Sequence, residues 1–437
     1  MNKTETQLKQ INNLQELDAP QLETTVGTYI GAFGEIPYIE LFSRDEALEA
    51  LQYILNKDGD LIIGQKEDNV VSLAGGYMRD DTYYIEELAV KPEEQGKGIG
   101  KQTFQELLEL GDKRNPKRYE LRTNVYNFKA LSLYETAGFA KLPTTIVVPK
   151  IRVDGRPALD KRVYLSKGEP MKEQNQLRRV IIAYPSGNTT ALVFDQRLAD
   201  DRPELTKKIM SAWTGNTEIE QCGFITLSKD PRAIGRLQMF GDEFCGNGGR
   251  SAVWAITGGR DGDGLIEVSG VDKPLKYSVR QGQVTLEIPL PPNKSKLVRI
   301  VPEGMLIKLE GISQLVVTDA SKQTPRELLL KLYKANRYGL ADELAFGVTY
   351  YNPKTCKAEF CVKVAGNDTI FDETACGSGT CASAIAMAVK EGKSQNLAVI
   401  QPSGEAISAQ AKYQGGTVSS SSITGTVKVL YDGPLNI

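Results

Sequence analysis

The 437-residue chain contains no histidine. That absence excludes a histidine general base, Ser-His-Asp and Cys-His pairs, and any His-ligated metal centre. Proton transfer is left to Cys, Asp, Glu, Lys or Tyr. Cysteine is scarce as well: six residues, irregularly spaced, are too few for a secreted disulfide framework, so reduced thiols and a cytoplasmic location are expected. Neither sign of charge prevails, with 53 Lys+Arg against 55 Asp+Glu and a formal net charge of −2, which speaks against nucleic-acid partners and against a membrane surface. No stretch approaches the roughly 18 consecutive apolar residues of a membrane span, and the opening MNKTETQLKQINNLQELDAP lacks the apolar core of a secretory signal.

What is present is the composition of an ordinary globular protein, 41% hydrophobic and 25% charged, long enough for two or three domains. The polar stretch YLSKGEPMKEQNQLRRV at 164–180 sustains no apolar face and divides the chain. We expect an N-terminal extension at 1–24, a first domain at 25–166, a linker at 167–178 and a second domain at 179–437, the last in two halves near 179–300 and 301–437. In the first domain, strands at 61–63, 70–77, 82–90 and 119–125 alternate with helices at 45–57, 98–114 and 128–137, an α/β pattern. In the second, short β-rich runs at 179–183, 190–194, 265–268, 275–279, 283–288, 315–317, 359–364 and 423–429 predict a sheet-dominated α+β fold.

The strand YIEELAV (84–90) leads into Gln95-Gly96-Lys97-Gly98-Ile99-Gly100-Lys101 and then the helical KQTFQELLEL. Glycines let backbone N–H groups approach a ligand, and the positive end of the helix favours a phosphate there. Farther on stand Asn127-Phe-Lys-Ala130 and Leu133-Tyr134-Glu-Thr-Ala-Gly138-Phe139. Together these resemble the GNAT acetyltransferase superfamily over about residues 25–165. The resemblance implies acetyl-CoA as cofactor, its pyrophosphate on residues 95–101, its pantetheine arm on the backbone of Leu88 and Val90, and Asn127 and Tyr134 in a second cofactor motif. Tyr134 is either the acid that protonates the leaving thiolate or a ring packed beneath the sheet. Glu86 and Glu87 are candidate bases, or simply solvated carboxylates.

The second domain repeats a motif. Cys245-Gly246-Asn247-Gly248 opens the run GRSAVWAI, and Cys376-Gly377-Ser378-Gly379 opens TCASAIAMAV, implying two half-domains of one plan with a buried helix at the centre of each curved sheet. A thiol at a helix N-terminus is expected to have its pKa lowered toward neutrality. Two such thiols facing one cleft would titrate as a pair, one thiolate and one thiol. That arrangement suits removal of a proton from one face of a carbon and delivery to the other, which is racemisation or epimerisation. Paired helix ends can also receive a substrate carboxylate and the charge developing at Cα, so neither pyridoxal phosphate nor a metal is required. Cys222, Cys356, Cys361 and Cys381 are read as small packed hydrophobes.

Residues 179–437 resemble the diaminopimelate epimerase superfamily of cofactor-independent, two-cysteine racemases. The matching segments are Pro185-Ser186-Gly187-Asn188, Glu243-Phe244-Cys245-Gly246-Asn247-Gly248 and Thr374-Ala375-Cys376-Gly377-Ser378-Gly379-Thr380. Tyr184, Glu220-Gln221-x-Gly223-Phe224-Ile225, Glu373 and Gln401-Pro402-x-Gly404 bring the match closer to the histidine racemase branch of staphylopine-type metallophore synthesis. The resemblance implies Cys245 and Cys376 as the two catalytic residues, and Asn188, Glu220, Gly246, Asn247, Gly248, Glu373, Gly377, Ser378, Gly379 and Thr380 as substrate-binding residues. It also implies an amino acid substrate, histidine first, and a possible homodimer. AGNDTIFDETACGSG holds no Arg or Lys, unlike the epimerases that grip a distal carboxylate there, and Asp372 and Glu373 suit an amine instead. Arg250 keeps a diaminopimelate or other amino acid epimerase open, and acetyl transfer beside a non-catalytic C-terminal domain is the other alternative.

Overall fold

The computed structural model describes residues 6–169, 177–194, 202–318, 323–364 and 369–436. The chain divides into two compact units between residues 173 and 174. Most of the expected linker, 170–176, lies outside the described residues.

In the first unit seven strands form one sheet: β1 (Gln7–Ile11), β2 (Asp60–Lys66), β3 (Asn69–Arg79), β4 (Thr82–Val90), β5 (Arg118–Asn124), β6 (Ala140–Ile151) and β7 (Pro157–Gly168), in the order β1-β2-β3-β4-β5-β7-β6. Alternate residues of β2 enter opposite layers, as the pleat requires. Leu61 and Ile63 pack with Val26 and Tyr29 of α1 (Ala19–Gly34) and with Ala47 and Leu51 of α2 (Arg44–Asn56). Ile62 packs with Phe104 and Leu107 of α3 (Ile99–Lys113) and with Leu131 and Tyr134 of α4 (Phe128–Thr136). The result is an α/β/α sandwich in which each fully buried Leu or Ile contributes about 1.5–3 kcal/mol. The segment expected as an extension is part of it: β1 runs antiparallel to β2, and α1 begins behind the side-chain cap of Asp18 on the Gln21 N–H.

One feature of this sheet positions a site. β4 and β5 pair in parallel only from Thr82–Arg118 to Ile85–Leu121, then part, so that Glu86–Val90 and Arg122–Asn124 open a wedge at the sheet's centre.

The second unit is α+β. Its first run of strands is β8 (Leu177–Tyr184), β9 (Thr190–Phe194), β10 (Gln221–Thr226), β11 (Ala233–Met239), β12 (Gly262–Val268), β13 (Leu275–Arg280) and β14 (Gln283–Glu287). The second is β15 (Val298–Val301), β16 (Gly304–Lys308), β17 (Ser313–Val317), β18 (Ala345–Asn352), β19 (Lys357–Val364), β20 (Thr369–Asp372), β21 (Gln395–Ile400), β22 (Ala406–Gln414) and β23 (Thr417–Thr426), before the closing β24 (Lys428–Asn436). From β8 to β14 successive pairings are antiparallel, parallel, antiparallel, parallel, antiparallel and antiparallel. The path β16-β17-β18-β19-β21-β22-β23 repeats that order, and β14 joins β23. Helices α5 (Arg202–Ala212) and α7 (Pro325–Lys334) are amphipathic, whereas α6 (Gly246–Thr257) and α8 (Gly377–Glu391) are buried almost throughout, each packed against strands of its own run.

Two boundaries differ from expectation. The apolar run 423–429 is not one strand: pairing with β22 and β14 ends at Thr426, and after Val427 the chain turns to pair with β8. The last strand therefore belongs to the first run, and the expected half at 301–437 is not contiguous. Among the described residues no helix is long and apolar enough to cross a membrane.

Candidate active site

Both repeated cysteines are helix N-caps. Cys245 precedes α6 at φ −130°, ψ 112°, and Cys376 precedes α8 at φ −129°, ψ 110°. Each Sγ accepts an N–H three residues on, from Gly248 and from Gly379, at 3.2 Å in both cases. The first residue of each helix has to be glycine. A Cβ on Gly246 would lie 2.9 Å from Ile423 Cδ1, and one on Gly377 would lie 2.8 Å from the same atom and 3.3 Å from the backbone N of Asn247. The two helix ends therefore meet backbone to backbone, and both thiols line one cavity of about 310 Å3. That volume is at the small end for ligand pockets.

Of the residues expected to bind substrate, Asn188, Glu220, Gly246, Asn247, Glu373, Gly377 and Ser378 line this cavity. Gly248 and Gly379 act through their N–H groups on the sulfurs, and Thr380 stands behind, bonded to the Cys376 carbonyl at 2.6 Å and to Gln401. Asn188 is delivered by a turn in which Ser186, Gly187 and Asn188 all take positive φ (68°, 114° and 53°), a strained backbone of the kind found at functional sites. Thr374 Oγ1 accepts the Asn188 N–H at 2.7 Å and donates to Glu220. Glu220 also receives the Thr374 N–H at 3.3 Å, so much of its accepting capacity is spent on bracing the site.

Three buried acceptors in the cavity wall have no protein partner: Asn188 Oδ1, Glu243 Oε2 and Glu373 Oε2. Buried acceptors of this kind are rarely left unpaired, and their unmet demand is for a ligand rich in N–H. Burial, with Glu220 and Glu243 nearby, pushes the Glu373 carboxyl up to about 8, against a hydrogen bond from Cys376. Burial also raises Glu243. The expected lowering of the thiols is overturned. Burial outweighs the helix ends, taking Cys245 up to about 12 and Cys376 well above its ordinary value, with Glu373 the next contributor for Cys376. The physical reason is that the helix ends are sealed from water and face carboxylates.

Sequence reasoning missed two amides. Thr190 Oγ1 donates to the Asn188 carbonyl at 2.9 Å, so it must accept from Gln221 Nε2, which lies at 2.7 Å. That leaves Gln221 Oε1 3.1 Å from Cys245 Sγ, where it accepts the S–H. On the other side Gln314 Oε1 accepts from Thr349 at 3.0 Å, and its Nε2 donates to Ser378 Oγ at 2.9 Å and reaches Cys376 Sγ at 3.7 Å. Ser378 Oγ is itself 3.4 Å from that sulfur. Cys376 thus sits among donors, and Cys245 faces an acceptor.

In the first unit, residues 95–98 form an exposed loop ahead of α3. Gly98 is the N-cap at φ 85° and provides no side-chain cap, so the first N–H groups of α3, from Ile99, Gly100 and Lys101, are free for an anion. Gln95 bonds the Val90 carbonyl at 3.3 Å and Lys97 pairs with Glu94 at 3.1 Å. Leu88 and Tyr134 line a cavity at the wedge, and Asn127 caps α4 through the Ala130 N–H at 3.2 Å. These residues fit a pyrophosphate at the α3 terminus and a thioester arm along the parted edge of β4.

Residues 180–435 match the family model described as "Histidine racemase CntK N-terminal domain". The chain belongs to this family. Two curated histidine racemases, both from Fusobacterium nucleatum subsp. nucleatum, are 30% identical over 252 residues (54% of this chain, 89% of the relative) and 29% identical over 235 residues (50% and 84%). Residues 26–139 match the acetyltransferase (GNAT) family. Solved structures similar to this unit include the ribosomal-protein-S18-alanine N-acetyltransferase from Escherichia coli, at 15% identity and TM-score 0.30 over 39% of this chain and 98% of that one. Another is the PaiA N-acetyltransferase from Thermoplasma acidophilum in complex with coenzyme A, at 15% identity and TM-score 0.27 over 37% and 99%.

Within this racemase-family domain two residues stand elsewhere than expected. Asp372 is half-exposed and ion-paired to Arg326 at 2.7 Å, which removes it from the cavity. Arg250 is fully buried in α6, donating to Asn247 Oδ1 at 2.8 Å and to the Pro185 carbonyl at 3.0 Å, where it braces the cavity wall instead of facing a ligand. Burial lowers it to about 10, still charged at neutral pH. Cys222, Cys361 and Cys381 are buried, Cys381 with Ser421 at 2.8 Å, and all six cysteines are free.

Proposed function

We propose that the C-terminal unit interconverts the enantiomers of histidine without a cofactor, and that the N-terminal unit binds acetyl-CoA. The observation that carries the first reading is that two cysteines, each capping its own buried helix in the same geometry, line one small cavity. The substrate α-carboxylate would lie against the N–H groups of the two glycine turns, which also receive the charge that develops when Cα loses its proton. Its ammonium and imidazole N–H groups match the unpartnered Asn188, Glu243 and Glu373 oxygens. Among the described residues Lys207, exposed on α5, is the only Lys or Arg lining the cavity, so a second carboxylate would lack an arginine fork.

In the resting site both sulfurs favour protonation. With Glu373 protonated near neutral pH, as its rise to about 8 requires, its repulsion on the Cys376 sulfur is gone and the three donors from Gln314, Ser378 and Gly379 serve a thiolate. An arriving ammonium lowers the thiols further. Cys376 then takes Cα–H, while Cys245, its S–H oriented by Gln221, protonates the opposite face; roles exchange for the other enantiomer. Free thiols need a reducing compartment, which supports the cytoplasm.

The test is an L-amino acid panel incubated with the protein in deuterated water. Histidine is expected to gain deuterium at Cα and lose optical purity without added pyridoxal phosphate. Faster exchange of diaminopimelate would overturn the substrate, and no exchange of any amino acid would overturn the reaction.

A further inference from the structure

The wedge between β4 and β5 opens on a second cavity, of about 190 Å3, which the racemase reading does not use. Its floor is charged. Glu86, Glu87 and Glu40 meet Arg122 and Arg162, while Tyr29, Phe33, Tyr38 and Phe42 form an aromatic wall with ring centroids 4.8–5.8 Å apart. The two arginines are diagonal neighbours on one face of the sheet, because Arg122 is opposite Tyr164 and Arg162 opposite Asn124 across β5 and β7.

The carboxylates near them are unequally committed. Asp160 is held by Asn124 at 2.6 Å, Lys150 at 3.0 Å and Arg162 at 3.1 Å. Glu86 accepts from the Tyr77 hydroxyl at 3.1 Å and from Arg122 at 3.3 Å. Glu40 accepts from Arg162 at 3.3 Å. Glu87 accepts only the Tyr29 hydroxyl, on Oε1 at 2.9 Å, among the described residues. Burial, with Glu86 beside it, raises Glu87 to about 8, and burial also raises Glu40. Near neutral pH the pocket therefore holds two guanidinium ions and an ammonium, Lys150, against fewer than four full negative charges. Each arginine has five N–H donors and spends one or two on protein.

We propose that this cavity is the acceptor site of the N-terminal unit and takes a free α-amino acid, its carboxylate between Arg122 and Arg162 and its amine at Glu87. The assignment rests on the acetyl-CoA reading of this unit. A guanidinium pair is built for a planar carboxylate and repels a polyamine. The small volume and aromatic wall suit one small side chain rather than a protein segment. Glu87 takes one proton from the acceptor ammonium, freeing the nitrogen lone pair. The acetyl thioester supplies the acyl carbon: an N–C bond forms, the C–S bond breaks, and the sulfur leaves as thiol with a second proton from the nitrogen.

The experiment uses the full chain with acetyl-CoA and free L- and D-amino acids, their α-amides, a lysine-containing peptide and spermidine, with products identified by mass. Free acids are expected to be N-acetylated at least tenfold faster than the corresponding amides, and peptide and polyamine not at all. Equal rates for acid and amide, or preference for peptide or spermidine, would overturn the proposal. A readout independent of turnover is calorimetry of the favoured amino acid in the presence of coenzyme A. Arg122→Gln is expected to abolish one class of sites that Cys245→Ser leaves in place; no such loss overturns the proposal. Arg162→Gln, which also breaks contacts to Glu40 and Asp160, is a second variant, and circular dichroism verifies that each folds. Calorimetry of coenzyme A alone separates the two readings: without its binding the acetyl-CoA reading fails, whereas a carboxylate-dependent amino acid site lost in Arg122→Gln stands.

Discussion

The surroundings of Cys245 and Cys376 are alike in backbone and opposite in polarity. Each sulfur caps a buried helix through the N–H three residues on, at dihedral angles that differ by about 2° or less. Yet the amide beside Cys245 turns its oxygen to the sulfur, and the amide beside Cys376 turns its nitrogen. A repeated motif thus supplies two equivalent nucleophile positions, and neighbouring strands make them unequal. On an otherwise matched pair, hydrogen-bond polarity is the economical way to decide which sulfur holds the proton.

The harshest way to break the comparison is to remove a sulfur. Cys245→Ala and Cys376→Ala are each expected to lower racemisation about a thousandfold, within the range for loss of an acid or base. The two should still differ in deuterated water. Cys245→Ala keeps the better-served thiolate and exchanges Cα–H of one enantiomer without inverting it; Cys376→Ala exchanges far more slowly. The reverse order, read by mass and chiral chromatography, would show that the amides do not set the roles. Backbone contact between the helix ends gives the next effect. Gly246→Ala and Gly377→Ala both press a methyl on Ile423, and both are expected to cost about 1–3 kcal/mol in denaturant unfolding.

The amides themselves give a smaller and more selective effect. Hydrogen bonds to charged groups are worth about 1.5–3 kcal/mol, so Gln314→Met is expected to lower kcat/KM by about 10- to 100-fold and move its acidic limb to higher pH. Gln221→Met removes an acceptor from a thiol and is expected to leave that limb in place. An equal displacement in both variants would reduce the two environments to the same one.

Much of this site was legible in the sequence because its chemistry is local. Cys-Gly-x-Gly ahead of an Ala-rich run announces a thiol at a buried helix end. What escaped depends on distant chain. Gln221 and Gln314 reach the sulfurs from β10 and β17, and neither carries a signal of its own. Asp372, adjacent to Glu373, looked equally available until Arg326 claimed it. The direction of the thiol shift was misjudged for the same reason, since a helix terminus can be read from sequence and the burial over it cannot. In the fold, the run at 423–429 shows that apolar continuity does not reveal where a strand leaves one partner for another. At the N-terminus, β1 is mostly solvent-exposed and polar, and only its antiparallel partner identifies it.

The gentlest test compares the two cavities. Each contains one carboxyl pushed to about 8, Glu373 in the C-terminal unit and Glu87 in the N-terminal unit. An unfolded glutamate titrates near 4.3, so between that pH and 8 the folded state binds more protons than the unfolded state. Stability contributed by these groups is therefore complete below about pH 4, and it falls as pH rises toward 8. Melting temperature is expected to decline across that window. Glu373→Gln flattens the decline for the C-terminal unit and Glu87→Gln flattens it for the N-terminal unit, because a neutral amide no longer titrates. Calorimetry that resolves two transitions would assign each slope to its own unit. A slope untouched by either variant would mean that these carboxylates stay ionised, and with an ionised Glu373 beside it Cys376 could not be the readier thiolate.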